Sequence, residues 1–117
     1  MSKDSNETTR EKVDVYETTV TLLDAMYKEM QDLSKKKPDG TLNPTKVKII
    51  NRLLADIKAI LNDEPDSKYL DLLDDATLPQ YSDVALILSQ FSASIKKFRE
   101  KYFRFDRTLR ESRWFVR

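Results

Sequence analysis

Apolar residues recur along this chain at alternating spacings of three and four. Val13, Tyr16, Val20, Leu23, Tyr27 and Met30 form the first series, and Leu22, Met26 and Leu33 widen it. That spacing keeps the side chains on one side of a 3.6-residue helix. Thr8-Thr9-Arg10-Glu11, just ahead of the series, reads as a capping box, in which a threonine oxygen accepts from an early backbone N–H and the glutamate reaches back. The helix should stop near Lys37, where Lys35, Lys36 and Lys37 suit the negative end of its dipole and Pro38-Asp39-Gly40 forces a turn.

Asn43-Pro44 is a second start signal, with asparagine as the cap and proline at the first helical position, where its missing N–H costs nothing. The stripe that follows is Val47, Ile50, Leu54, Ile57 and Leu61, thickened by Ile49, Leu53 and Ile60, and Asn62-Asp63-Glu64-Pro65 ends it. Asp66 then caps a short third helix carrying Tyr69, Leu70, Leu72 and Leu73, closed by Pro79. Ser82 or Asp83 caps a last helix whose stripe is Val84, Leu88, Phe91, Ile95, Phe98, Tyr102, Phe105 and Leu109. Its spacings alternate four and three without a break, a heptad pattern, and no proline or glycine interrupts it through Arg117. At 1.5 Å per residue the pattern predicts a final rod of about 50 Å, against about 42 Å and about 28 Å for the first two helices. The last helix therefore outruns its companions.

The fold class predicted is all-α: an antiparallel helical bundle of three long helices plus one short helix. Residues 1–8 are expected to be a flexible N-terminal segment, and residues 9–117 a single helical-bundle domain with a long basic C-terminal helix. One glycine and four prolines are too few for a sheet of many tight turns. The chain has no cysteine and no histidine, which removes disulfides, thiolate metal sites, thiol nucleophiles and the usual acid–base side chain near neutrality. With no glycine-rich phosphate loop, serine elbow or metal-ligand spacing, no enzyme, cofactor, metal or small-molecule substrate is expected. The longest unbroken apolar run, Val84 to Leu88, is too short for a membrane span or a signal peptide. A soluble, cytoplasmic protein without a membrane partner is the expectation.

Charge changes the picture. Lys96 to Arg117 holds nine basic residues against three acids, while the remaining 95 residues carry a net −5, so a formal total of +1 conceals two regions of opposite sign. All five phenylalanines and the tryptophan fall within the last 27 residues, largely inside that basic stretch. Lys97, Lys101, Arg104, Arg107, Arg110, Arg113, Trp114 and Phe115 are the candidate partner-binding residues. Arginine and aromatic side chains are enriched where proteins associate, and an overhanging helix would leave Leu109, Trp114, Phe115 and Val116 uncovered unless another chain met them. The expectation is a small accessory or adaptor protein that binds a protein partner or itself. The alternative is a nucleic-acid-binding protein whose basic helix tracks phosphates. Phe98, Tyr102 and Phe105 lie on the heptad stripe and read as core. The acidic counterpart, Asp63, Glu64, Asp66, Asp71, Asp74 and Asp75, lacks the spacing of a calcium loop and reads as a solvated or charge-pairing segment.

Overall fold

The computed structural model describes residues 7–117 and is mostly helical, with one small sheet. Helix α1 spans Arg10–Lys36, α2 Pro44–Ile60 and α3 Tyr81–Tyr102, followed by strands β1, Phe103–Asp106, and β2, Glu111–Trp114. The starts and stops of α1 and α2 fall where the sequence places them. Thr9 caps α1, its hydroxyl accepting from the Lys12 N–H at 3.2 Å, and Asn43 caps α2 by accepting from the Lys46 N–H at 2.9 Å. The cap is thus Thr9 rather than Thr8, which leaves Glu11 too close to the helix start to reach back. No side chain caps α3: Gln80 occupies that position, and neither Ser82 nor Asp83 serves.

Antiparallel packing follows from short connections. α1 packs on both α2 and α3, so α2 and α3 run the same way and need a long crossover between them, residues 61–80. The expected short third helix is here a single 3-10 turn, Pro65–Tyr69, and the chain then runs extended along the flank. Asn51 holds it there. Its amide donates to the Leu73 carbonyl at 2.9 Å and accepts from the Leu73 N–H at 2.8 Å, standing in for a neighbouring strand. Leu70 and Leu73 are buried, whereas Tyr69 and Leu72 face solvent. At the end of the crossover, Leu42 donates to the Pro79 carbonyl and Tyr81 to the Gly40 carbonyl, which closes the far end of the molecule.

The core is drawn from the stripes read from the sequence: Val13, Tyr16, Leu23 and Met30 from α1, Val47, Ile50, Leu54 and Ile57 from α2, and Val84, Leu88, Phe91, Ile95, Phe98 and Tyr102 from α3 are buried, whereas Val20 and Tyr27 are half-buried and Leu22 and Ile49 are exposed. The heptad stripe of α3 stays inside as far as Tyr102 and no further. Phe105 is 60% exposed, which corrects its assignment to the core, and Leu109, expected without intramolecular cover, is 57% exposed. The single rod expected through Arg117 ends at Tyr102, and the long basic C-terminal helix is replaced by an antiparallel hairpin.

The reason lies in what surrounds the end of α3. α1 begins at Arg10 and α2 finishes at Ile60, so a helix continued past Tyr102 would leave the packed body with no facing helix. Turning back instead lets the chain lay Trp114 on Tyr16 and Phe98, with ring centroids 5.1 and 6.0 Å away. The returning segment then meets the start of the chain. Phe115 donates to the Tyr102 carbonyl at 2.7 Å, Thr8 donates to the Phe115 carbonyl at 2.9 Å, and Arg117 donates to the Thr8 carbonyl at 3.0 Å. Of the segment expected to be flexible, residues 1–6 lie outside the described residues, while Thr8 is buried in a parallel bridge with Val116. No helix among the described residues is long and apolar enough to cross a membrane.

Candidate functional site

The hairpin is built by alternation. In β1, Phe103 and Phe105 fall on one face and Arg104 and Asp106 on the other, the period-2 order of a strand. Register pairs Phe103 with Trp114, Arg104 with Arg113, Phe105 with Ser112 and Asp106 with Glu111. Two arginines directly opposite one another repel. The molecule offsets this with a ring and a carboxylate. The Arg104 and Arg113 guanidinium carbons lie 3.7 and 4.2 Å from the Phe115 ring centroid, and Arg113 Nε donates to Asp106 Oδ2 at 2.7 Å.

Asp106 also makes the turn. Its Oδ1 accepts from the Thr108 N–H at 2.8 Å and the Leu109 N–H at 3.2 Å, while its main-chain carbonyl accepts from Arg110 at 2.7 Å. Arg110 sits at φ 58°, a left-handed conformation that a bulky residue adopts at a cost and that closes the loop without glycine. The hydrogen bond from Arg113, with those from the Leu109 and Thr108 amides, holds the Asp106 carboxyl below the ordinary aspartate range. A depressed carboxyl contributes stability that is present above the unfolded value, about 3.9, and is lost as pH falls through the folded one. The Thr108 and Leu109 amide resonances should therefore stay in place on acidification to about pH 4 and move only below it. In Asp106→Ala, exchange of the Thr108, Leu109 and Arg110 amides should become fast at every pH while the helix amides keep their protection. Unchanged exchange at those three amides would show that the backbone alone holds the turn.

The tip so formed is apolar and cationic. Phe105 and Leu109 are its exposed large hydrophobic residues, and Arg107 and Arg110 are exposed and join no ion pair among the described residues. Lys97 and Lys101 lie elsewhere. They face the crossover on α3 beside a pocket of about 370 Å³ shared with Glu64, Asp66 and Ser94. There Glu64 accepts from Lys101 Nζ at 3.2 Å and from the Tyr102 hydroxyl at 2.8 Å, and the Ser94 hydroxyl donates to Asp66. Burial opposes the charge on Lys101, but its bonds with Tyr102 and Glu64 outweigh that and keep its pKa above the usual lysine value. Burial first, then the bond to Glu64, pushes the Tyr102 phenol up. Lys101 is therefore a latch between α3 and the crossover. Asp63 is likewise engaged, bound by Lys12 Nζ at 2.9 Å and lowered in pKa chiefly by that hydrogen bond.

The eight candidates thus separate into four places. Arg107 and Arg110 stand at the hairpin tip; Arg104 and Arg113 flank Phe115 within the hairpin; Lys97 and Lys101 face the crossover, and Trp114 points into the aromatic cluster of Tyr16, Phe98 and Phe103. Trp114 and Phe115 are expected from the sequence on a rod's uncovered overhang; the fold-back half-buries both within the chain. Phe105 is the surface residue that the sequence reading missed, and Leu109 is exposed on a turn rather than on a helix. The signal was the alternation Phe103-Arg104-Phe105-Asp106, ending in a turn-forming aspartate, a strand pattern overlaid on a helical one. Among the described residues no three carboxylates converge to hold a metal ion. No protein-family model, curated protein or solved structure matches this chain.

Proposed function

We propose that this chain is a small, non-enzymatic accessory protein of the cytoplasm that binds another protein through the tip of its C-terminal hairpin. One observation carries the reading: Phe105 and Leu109 stand exposed in the same hairpin end as Arg107 and Arg110, which join no ion pair among the described residues, about a turn that Asp106 holds. Aromatic side chains and arginine are enriched at interface centres, Leu109 adds apolar area, and a preformed turn costs little further ordering when a partner arrives. The binding surface is thus the tip alone, rather than the whole basic stretch. Two cations and one ring make too short a track for a phosphate backbone, and for this reason the protein-binding reading is preferred to the nucleic-acid one.

A photo-crosslinking phenylalanine analogue placed at position 105, in cells expressing the full chain, provides the test. A protein adduct is expected from position 105 and not from position 86, where Leu86 is equally exposed on α3. Arg107→Glu/Arg110→Glu should reduce that adduct at least tenfold. Equal adducts at the two positions, or none at 105, would remove the tip as a docking site. Binding of single-stranded RNA or DNA that falls steeply with salt and disappears in the same double variant would replace this reading with the nucleic-acid one.

A further inference from the structure

Two surfaces of this chain complement one another and yet do not meet within it. The hairpin tip presents Arg107 and Arg110 with Phe105 and Leu109. The exposed flank of the crossover presents Asp71 and Asp75, neither in an ion pair among the described residues, with Tyr69, Leu72 and Leu78 exposed beside them. The flank is as firmly held as the tip. Leu70 and Leu73 are buried, both main-chain groups of Leu73 are bonded to Asn51, and Asp74 accepts from the Ala76 amide of its own loop.

We propose that the partner of the tip is a second copy of this chain, with the tip of each copy seated on the crossover flank, residues 69–78, of the other. The proposal rests on the reading of the tip as a protein-binding surface. Opposite charge brings the surfaces together and sets their register, while the five apolar side chains supply the area removed from water. The fold places the two surfaces at different heights. The hairpin leaves the end where α3 finishes, whereas the crossover flank passes Asn51 midway along α2 and ends beside Leu42 at the opposite end. Two rods lying antiparallel bring each tip beside the partner's flank, and a two-fold axis closes the pair with both contacts made at once. The second contact then forms within an existing encounter, which strengthens the pair beyond either contact alone.

The test is sedimentation or light scattering of the full chain over a wide concentration range, with charge-reversed variants. The wild-type chain should pass from monomer to dimer, twice 13.7 kDa, as concentration rises. Arg107→Glu/Arg110→Glu and Asp71→Arg/Asp75→Arg should each weaken self-association at least tenfold while keeping the wild-type helical circular dichroism. Mixed in equal amounts, the two variants should recover a mixed dimer, because both of its contacts pair opposite charges: the unchanged arginine tip meets the unchanged aspartate flank, and the reversed tip meets the reversed flank. A wild-type chain that stays monomeric, or a mixture that recovers nothing, overturns the proposal. If the chain stays monomeric while position 105 still crosslinks to a different protein, the tip reading stands and only the identity of its partner falls. If neither dimer nor adduct forms, both fall.

Discussion

Trp114→Ala is expected to destabilise the chain by about 3 kcal/mol, the lower end of the range for removing a large aromatic from a packed site, because the indole is only half-buried. The indole is the keystone of the fold-back. It stands edge-on to Tyr16 and to Phe103, with centroids 5.1 and 5.3 Å away, and lies 6.0 Å from Phe98, so it joins α1, α3 and β1. Its loss removes apolar area and also the reason for β2 to return. Phe115 would lose its bond to Tyr102 and Thr8 its bond to Phe115, and the start of the chain would fray with them. Denaturant unfolding followed by circular dichroism reads the change, since the variant lacks tryptophan fluorescence. Trp114→Phe should keep most of the packing and cost less than about 1.5 kcal/mol. A loss below about 0.5 kcal/mol for the alanine variant would place Trp114 among ordinary surface residues and return it to the list of docking candidates.

The three-and-four spacing revealed the helical stripes because burial on one side of a helix is a local rule, and every stripe residue of α3 from Val84 to Tyr102 obeys it. The Asn43-Pro44 start and the proline–glycine stop were equally local. What failed was continuity. Phe105 and Leu109 carry on the heptad by coincidence of spacing, and nothing between Tyr102 and Phe103 punctuates the chain. The break is decided by distant residues: Tyr16, 98 positions from Trp114, supplies the surface on which the hairpin closes, and no window along the sequence contains both. That a helix continued through Arg117 would outrun its companions was legible from its length. The resolution of that overhang by folding back rather than by recruiting another chain depended on tertiary contact. The candidate site shows the same division. The basic and aromatic composition pointed to the right segment, but only the hairpin register separates Arg107 and Arg110, which face outward, from Arg104 and Arg113, which lie against Phe115.

Phe98→Ala should cost more than any other single truncation considered, about 4 kcal/mol. The side chain is 1% exposed and stands at the junction of the helical core with the hairpin, its ring 5.0 Å from Tyr102, 6.0 Å from Tyr16 and 6.0 Å from Trp114. A domain of this size is stabilised by only about 5–15 kcal/mol in total, so the variant is expected to melt well below the wild-type chain and to be partly unfolded in mild denaturant. Phe98→Leu keeps most of the volume and should cost about 1–1.5 kcal/mol, which leaves a folded protein for comparison. Because Phe98 and Trp114 share a contact and the same neighbours, their losses should not add. The double variant Phe98→Leu/Trp114→Phe is expected to fall short of the summed single effects by about 0.5 kcal/mol or more, as residues in one packed cluster do. Strict additivity would mean that the hairpin and the helical core are stabilised independently, and that the aromatic cluster is not what turns the chain back at Tyr102.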